Sequence, residues 1–380
     1  MKFTRALAAA FDIAAVAAIG YAAVAIVCAA RFARREPEAV AEGDLPPVTL
    51  LVPLHGDEPG LEENLRSFAL QDYPSCQMVL GVARADDRAL EIARRLAADL
   101  PDRNIEINVG EVPARNPKIA NVLSMMRLAR NDVLILADSD TRVDPAYVRS
   151  VTAPLREPAV GAVTCPFAGY HDGTLSARLG AMFINEQFIP SVLVNRLLGP
   201  ARHCLGPTNA VRSAVLSAIG GFEALAPHLA DDYMLGNRVA ARGLRVVLSP
   251  YVVQTIVSDP SLAVLWNHEL RWHRTIRGVQ PAGYAGMFLT YPLPLALAAF
   301  LLAPSRKRFT RLCVAAIARI VLQRVAARAL GVEPAPAWLV PLRDLFGMSI
   351  WLCGLGGNAI RWRDADLHIE AGDVLAERPG

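Results

Sequence analysis

Several short stretches of this 380-residue chain set acids, bases or guanidinium groups at spacings that chemistry can use. Asp138-Ser139-Asp140 follows an apolar run, and Asp-x-Asp at a strand end aims two hard oxygen donors into a cleft. Such a pair suits Mg2+ or Mn2+ bridging a diphosphate, the cation offsetting charge on a departing phosphate. In an ordinary loop the same residues only make a turn or a helix cap. Asp86 and Asp87 end a second apolar run in the same way. Asp231-Asp232 opens a helix-compatible stretch. Two acids there complement the helix dipole, or one raises the pKa of the other as a general base requires. Lys118, in Asn116-Pro117-Lys118, stands near a helix start, where a lysine meets phosphate as a point charge or is simply solvated.

The last such stretch is His268-Glu269-Leu270-Arg271-Trp272, followed by His273, Arg274 and Arg277. Trp272 occupies the second histidine position of His-Glu-x-x-His, which excludes a zinc-protease helix. Arg271 and Arg274, three apart, give one helix face two guanidinium forks that fit phosphate oxygens. Trp272 offers a ring wall for a sugar or lipid, or packs; His268 by itself reads as a structural hydrogen-bonder.

The elements that must position these residues alternate. Apolar strands are expected at 48–53, 77–82, 105–109 and 133–137, with helices at 60–70, 90–100, 119–130 and 229–242. This βαβ order implies a mostly parallel α/β sheet with helices on both faces, and ligands in such sheets bind beyond the carboxyl ends of the strands. Asp86, Asp87, Asp138 and Asp140 all fall at that edge.

Composition locates the rest. Hydrophobic residues make up 53% and charged residues 20%, and the net charge of +3 is too small to imply a nucleic-acid partner. Residues 6–30 are almost continuously apolar with Asp12 the only charge, enough to cross a bilayer. Arg31, Arg34 and Arg35 follow directly, which sets the next domain in the cytoplasm and makes a poor signal-peptide cleavage site. A transmembrane anchor (1–30), a linker (31–47), a catalytic-type domain (48–280), membrane-associated helices (281–360) and a cytoplasmic tail (361–380) are expected. Within 281–360 the blocks 283–303 and 337–357 read as spans. The block 312–330 carries Arg319, Arg324 and Arg328 and reads as interfacial. Cys28, Cys76, Cys165, Cys204, Cys313 and Cys353 show no metal-ligand spacing and read as reduced, mostly buried thiols.

Taken in order, Pro53-Leu54-His55-Gly56 with Glu58-Pro59-Gly60-Leu61, Glu63-Asn64-Leu65, Gln71-Asp72-Tyr73-Pro74, Asn116-Pro117-Lys118, Ala137-Asp138-Ser139-Asp140, Gly220-Gly221-Phe222-Glu223, Ala230-Asp231-Asp232-Tyr233 and His268-Glu269-Leu270-Arg271-Trp272 resemble the processive-type family 2 glycosyltransferases. The resemblance is closer to the branch (family 21) holding ceramide glucosyltransferases and bacterial hopanoid-biosynthesis-associated glycosyltransferases. His268 stands where the pattern has Gln or Arg, and Arg84 where relatives often carry an acid.

The resemblance implies a GT-A domain on the cytoplasmic face of a bacterial inner membrane, multi-pass, using a UDP-sugar donor and a divalent metal. It assigns Asp86 or Asp87 to the uridine and Asp138 and Asp140 to the metal-diphosphate. Asp232, with Asp231 beside it, becomes the base. Lys118, Arg271, Trp272 and Arg274 fall on the donor, and His268, Trp272 and Cys204 on the acceptor. Phe183, Ile184, Phe188 and Ile189 are candidates for a lipid entry. Similarity at 183–185, 190–194 and 248–253 favours N-acetylglucosamine transfer to a hopanoid such as bacteriohopanetetrol over glucosylation of ceramide. A processive synthase would need more spans, and a non-catalytic scaffold would not need the intact acids.

Overall fold

The computed structural model describes residues 2–35, 45–362, 365–369 and 374–377; most of the linker and parts of the tail lie outside them. Ten strands build the catalytic-type domain: β1 (Val48–Leu54), β2 (Cys76–Val82), β3 (Asn104–Val109), β4 (Val133–Ala137), β5 (Thr141–Arg142), β6 (Val160–Thr164), β7 (Phe167–His171), β8 (Thr208–Arg212), β9 (Arg245–Leu248) and β10 (Val253–Val257). Seven form one sheet in the order β3-β2-β1-β4-β8-β6-β9, in which β8 alone runs against the rest. A smaller sheet, β5-β10-β7, flanks it.

Burial follows the two-residue strand period. Leu50, Val52 and Leu54 of β1 and Val133, Ile135 and Ala137 of β4 face one apolar core. Leu51, Leu134 and Leu136 face the other. With both faces covered, β1 is buried at every position, as parallel strands are. Helices Leu61–Ala69, Arg88–Asp99 and Pro117–Met125 fall close to the expected stretches, though the last stops five residues short of 130.

The helix Lys2–Phe32 has 31 residues, about 46 Å at 1.5 Å per residue, and exceeds a hydrocarbon core of about 30 Å. Its Ala15 and Ala18 pack against Leu295, Ala296 and Ala315, and Asp12 pairs with Arg311 and Arg308. The pair Pro281–Thr290 and Pro292–Leu302 is bent by 66°.

Two expectations change. The block 337–357 yields a 16-residue helix, Leu339–Gly354, about 24 Å long and too short to span alone; its Arg343 and Asp344 are buried against protein. In Arg306–Leu330, Arg319 is fully buried and forked onto Asp344, whereas Arg324 and Arg328 are exposed. Three strands close the chain: β11 (Ala359–Trp362), β12 (Ala365–Ile369) and β13 (Leu375–Glu377). All six cysteines are free, but only Cys28, Cys165 and Cys204 are buried; Cys313 and Cys353 are exposed.

Candidate active site

β4 ends at Ala137 and delivers Asp138 to the sheet edge. Pairing in reverse, β8 starts opposite the same residue, so the turn before it, Leu205-Gly206-Pro207, arrives at that edge too. Asp138 N–H donates to the Pro207 carbonyl at 3.3 Å. Across the edge, Asn116 caps the helix Pro117–Met125, its Oδ1 accepting from the N–H groups of Lys118 (2.9 Å) and Ile119 (3.1 Å). Asn116 Nδ2 donates to the His228 carbonyl (2.8 Å) and Asp231 Oδ1 (3.4 Å), which binds the cap to the start of helix Asp231–Ala241. Gly81 in β2 lets the helix Pro117–Met125 sit close, since a Cβ there would collide with Met125 and Asn121.

These caps converge on one cluster. Lys118 Nζ lies 2.7 Å from Asp138 Oδ1 and 3.5 Å from Asp231 Oδ2. A Cβ placed on Gly206 would sit 3.5 Å from Asp138 Oδ2 and 3.9 Å from Asp232 Oδ2, so the two carboxylates flank a gap that the missing side chain keeps open. Withdrawal from water, then the neighbouring Asp231 charge, push Asp232 up to about 7, while Lys118 pulls it down. Asp140 is raised well above the usual carboxylate range by burial, then by Asp138 and Glu58. Ser139 Oγ donates to Glu58 Oε2 at 2.6 Å, and Asn64 Nδ2 to the Ser139 carbonyl at 3.1 Å.

Of the two acids after β2, Asp87 is built into the fold. It caps the helix Arg88–Asp99 through Ala89 N–H (2.9 Å) and accepts from Gly56 N–H (2.9 Å) in the loop after β1. Asp86 is exposed and forked by Arg84, which holds its carboxyl below the usual range. Cys204 is 1% exposed within the apolar core beside Asp232, which leaves its thiol unavailable to an acceptor in this arrangement.

The helix Leu262–Val279 carries the remaining residues. His268 Nδ1 lies 3.2 Å from Asp259 Oδ1. Trp272 stacks on Phe183 (5.7 Å between ring centres, 25°) and leans on His268 (4.3 Å). Arg274 donates to the Ala359 and Gly356 carbonyls, so the expected face of two phosphate-seeking guanidiniums is not formed; Arg274 fastens the helix to the chain after Gly354. Arg271 shares the helix turn with Trp272. The link to the acidic cluster is indirect: Gln280, the helix cap, donates to Tyr233 Oη at 3.0 Å, one residue after Asp232. Phe183, Ile184 and Ile189 are core residues, 1% exposed each, which removes them from a lipid entry.

Sequence reasoning overlooked Gly206 as a site neighbour, and Glu58 lies in a stretch that carries the family resemblance without a role being read for it. The Gly206-Pro207 pair before a short apolar run was the available signal for the first.

A largely parallel sheet with its acids gathered beyond one set of strand ends, beside a buried lysine, is the frame of a GT-A-type glycosyltransferase. A mannosyltransferase from Pyrobaculum calidifontis, solved with GDP-Man and Mn2+, shares the fold at TM-score 0.57 and 19% identity, over 93% of this chain and 99% of that one. The chain belongs to glycosyl transferase family 21, whose description matches residues 10–375. It is 25% identical to ceramide glucosyltransferase 1 of Caenorhabditis elegans over 233 residues, 60% of this chain and 49% of that protein. It is 24% identical to an N-acetylglucosaminyltransferase of Rhizobium leguminosarum bv. viciae over 239 residues, 61% of this chain and 56% of that protein. The chain thus spans about half the length of the curated relatives it matches.

Proposed function

We propose that this glycosyltransferase inverts the anomeric centre of a UDP-sugar, UDP-N-acetylglucosamine first, while passing the sugar to a hydroxyl of a membrane lipid, a hopanoid such as bacteriohopanetetrol. The second reading is UDP-glucose and ceramide, which the ceramide glucosyltransferase similarity favours. The observation carrying the proposal is the pair Asp138 and Asp232 on either side of Gly206, with Asp232 ionising at about 7.

In this reading the acceptor hydroxyl gives its proton to the Asp232 carboxylate. Its oxygen bonds to the anomeric carbon as the bond from that carbon to the diphosphate breaks, and UDP departs. A base whose pKa lies near the working pH is ionised often enough and still takes the proton. Lys118 offsets one of the two charges of Asp138 and Asp231, and Arg271 is assigned to the diphosphate.

Among the described residues no group of three or more His, Cys, Asp and Glu is arranged for a metal ion. A cation shared with a diphosphate needs only one or two protein carboxylates, and Asp138 with Asp140, whose carboxyl is raised first by burial and then by the Asp138 and Glu58 charges, fit that demand. When bound, Mg2+ or Mn2+ supplies Lewis-acid stabilisation of the leaving group.

A small crevice of about 10 Å³, room for little more than one water, is lined by Thr164, Val192, Asn195, Arg196, His203 and Leu205 among others and adjoins Gly206 through Leu205. Exposed Leu197 and Leu198 stand beside it, and His203 stacks on Tyr233 at 5.4 Å. We assign the face that carries the exposed Leu197 and Leu198, rather than the crevice itself, to the acceptor's approach from the inner leaflet, with the catalytic domain in the cytoplasm of a bacterial cell.

Purified protein reconstituted with either lipid and either donor, with release of UDP as the readout, tests the proposal. Chelation should stop turnover and Mn2+ or Mg2+ restore it. Asp232→Asn should lose turnover but retain UDP. No metal-dependent turnover on any lipid would leave the scaffold reading.

A further inference from the structure

Beneath the helix that carries Arg271 and Trp272 lies a set of charges that the proposed reaction does not use. Arg319, Arg343, Asp344 and Glu269 are each 0% exposed. Arg343 forks onto Glu269, Nη1 to Oε1 and Nη2 to Oε2, both at 2.7 Å. Its Nε donates to Gln187 Oε1 at 3.4 Å, and its Cζ lies 5.3 Å from the centre of the Phe183 ring. Phe183 in turn carries the stacked ring of Trp272. The neighbouring Arg319 holds Asp344 and reaches Glu186 Oε2 at 3.4 Å, with Gln323 Nε2 on Glu186 Oε1 at 2.8 Å.

Glu186 and Gln187 belong to a π-helical turn, Ile184–Phe188, set between the α-helices Leu175–Phe183 and Ile189–Leu198. Such a turn admits one extra residue and recurs at functional sites. Here it turns two consecutive polar side chains toward the two buried guanidiniums.

Stability alone does not account for this arrangement, because apolar residues of similar volume hold a core as well as a buried ion pair does. A bidentate fork does something that apolar packing does not: it fixes the rotation of one helix relative to another. Glu269 is two residues before Arg271 and three before Trp272. One guanidinium therefore holds that turn twice, through the Glu269 side chain on its backbone and through Phe183 on its ring.

We propose that Arg343 and Glu269 are positioning residues, whose buried fork sets the orientation of the Arg271–Trp272 turn and makes turnover depend on the docked C-terminal helix Leu339–Gly354. The turnover arm of the test rests on the glycosyl-transfer reading above; a fluorescence arm does not.

The test uses the full chain carrying Glu269→Leu together with Arg343→Met, which replaces the fork by apolar groups of similar size. The double variant should unfold at or above the wild-type temperature yet turn over about tenfold more slowly or worse. The Trp272 contribution to emission, taken by difference from Trp272→Phe in each background, should shift. A folded double variant with turnover within about twofold of wild type, or with unchanged Trp272 emission, overturns the proposal. Should the double variant fail to fold, Phe183→Leu keeps the fork and removes only the ring contact. It should likewise shift the Trp272 emission and slow turnover, and wild-type values for both refute the relay. A wild-type protein inactive on every lipid counts against the glycosyl-transfer reading alone, since the emission arm still decides the positioning.

Discussion

Replacing Asp232 by Asn should make the protein more stable above pH 7 while removing its turnover. A carboxyl that ionises at about 7 in the fold and at about 3.9 in the unfolded chain favours the folded state at low pH, where the native site keeps a proton that the open chain has already lost. That advantage disappears as pH rises from about 4 through about 7. Each pKa unit is worth about 1.4 kcal/mol, so the fold at pH 8 bears a penalty of about 4 kcal/mol relative to acid conditions. Burial is the larger cause and the Asp231 charge the next, and the amide of Asp232→Asn carries no charge for either to act on, so the variant should recover on the order of 2–4 kcal/mol at pH 8. For a chain of this size that is a rise of roughly 5 °C in the unfolding midpoint. Thermal unfolding in detergent without nucleotide, at pH 5.5 and pH 8, measures it. The wild-type midpoint should fall between the two pH values more than that of the variant, and the variant should still bind UDP. Equal midpoints for the two proteins at pH 8, or a variant that turns over at wild-type rate, would refute the account of Asp232 as a strained base.

The other expectations concern neighbours of that carboxylate. Lys118→Met removes the cation that lowers the Asp232 pKa, so the acid limb of the pH–rate profile should move above 7; a limb that stays in place would separate Lys118 from the base. Gly206→Val adds methyl groups where a Cβ already meets Asp138 and Asp232 at contact distance. Turnover should fall by about a hundredfold or more with little change in the unfolding midpoint, because Gly206 needs no left-handed backbone. Asp87→Ala loses a helix cap and the Gly56 contact and should cost about 1–2 kcal/mol in denaturant unfolding, whereas Asp86→Asn at its exposed site should leave stability unchanged.

The sheet was legible because its strands announce themselves. β1, β2 and β4 are short β-branched runs between turn residues, and each ends close to the acid or loop that chemistry needs. The placement of Asp138 beyond β4 followed from the rule for parallel sheets. The reversal of β8 was not legible, since nothing in Thr208–Arg212 states its direction, and with it went the role of Gly206. Arg274 was misjudged for a related reason. Helical spacing puts it one turn from Arg271, but its partners are carbonyls more than eighty residues away in sequence, which periodicity cannot see. Arg319 is the reverse case: as a charge in an apolar block it suggested an interfacial helix, while its compensation by Asp344 and Glu186 exists only in the folded arrangement.

The tail strand constrains the path of the chain after Val279. Leu375 N–H donates to the Pro227 carbonyl at 2.8 Å, and Arg115 Nη1 donates to the Leu375 carbonyl at 3.2 Å, so β13 lies against the domain that holds Asp232. The polypeptide therefore leaves that domain after Val279 and comes back to it on the same side of any bilayer. Whatever the bent pair Pro281–Thr290 and Pro292–Leu302 does, complete traversals between those two points come in twos or not at all. A tag fused behind Glu377 therefore reports the compartment of the acidic cluster.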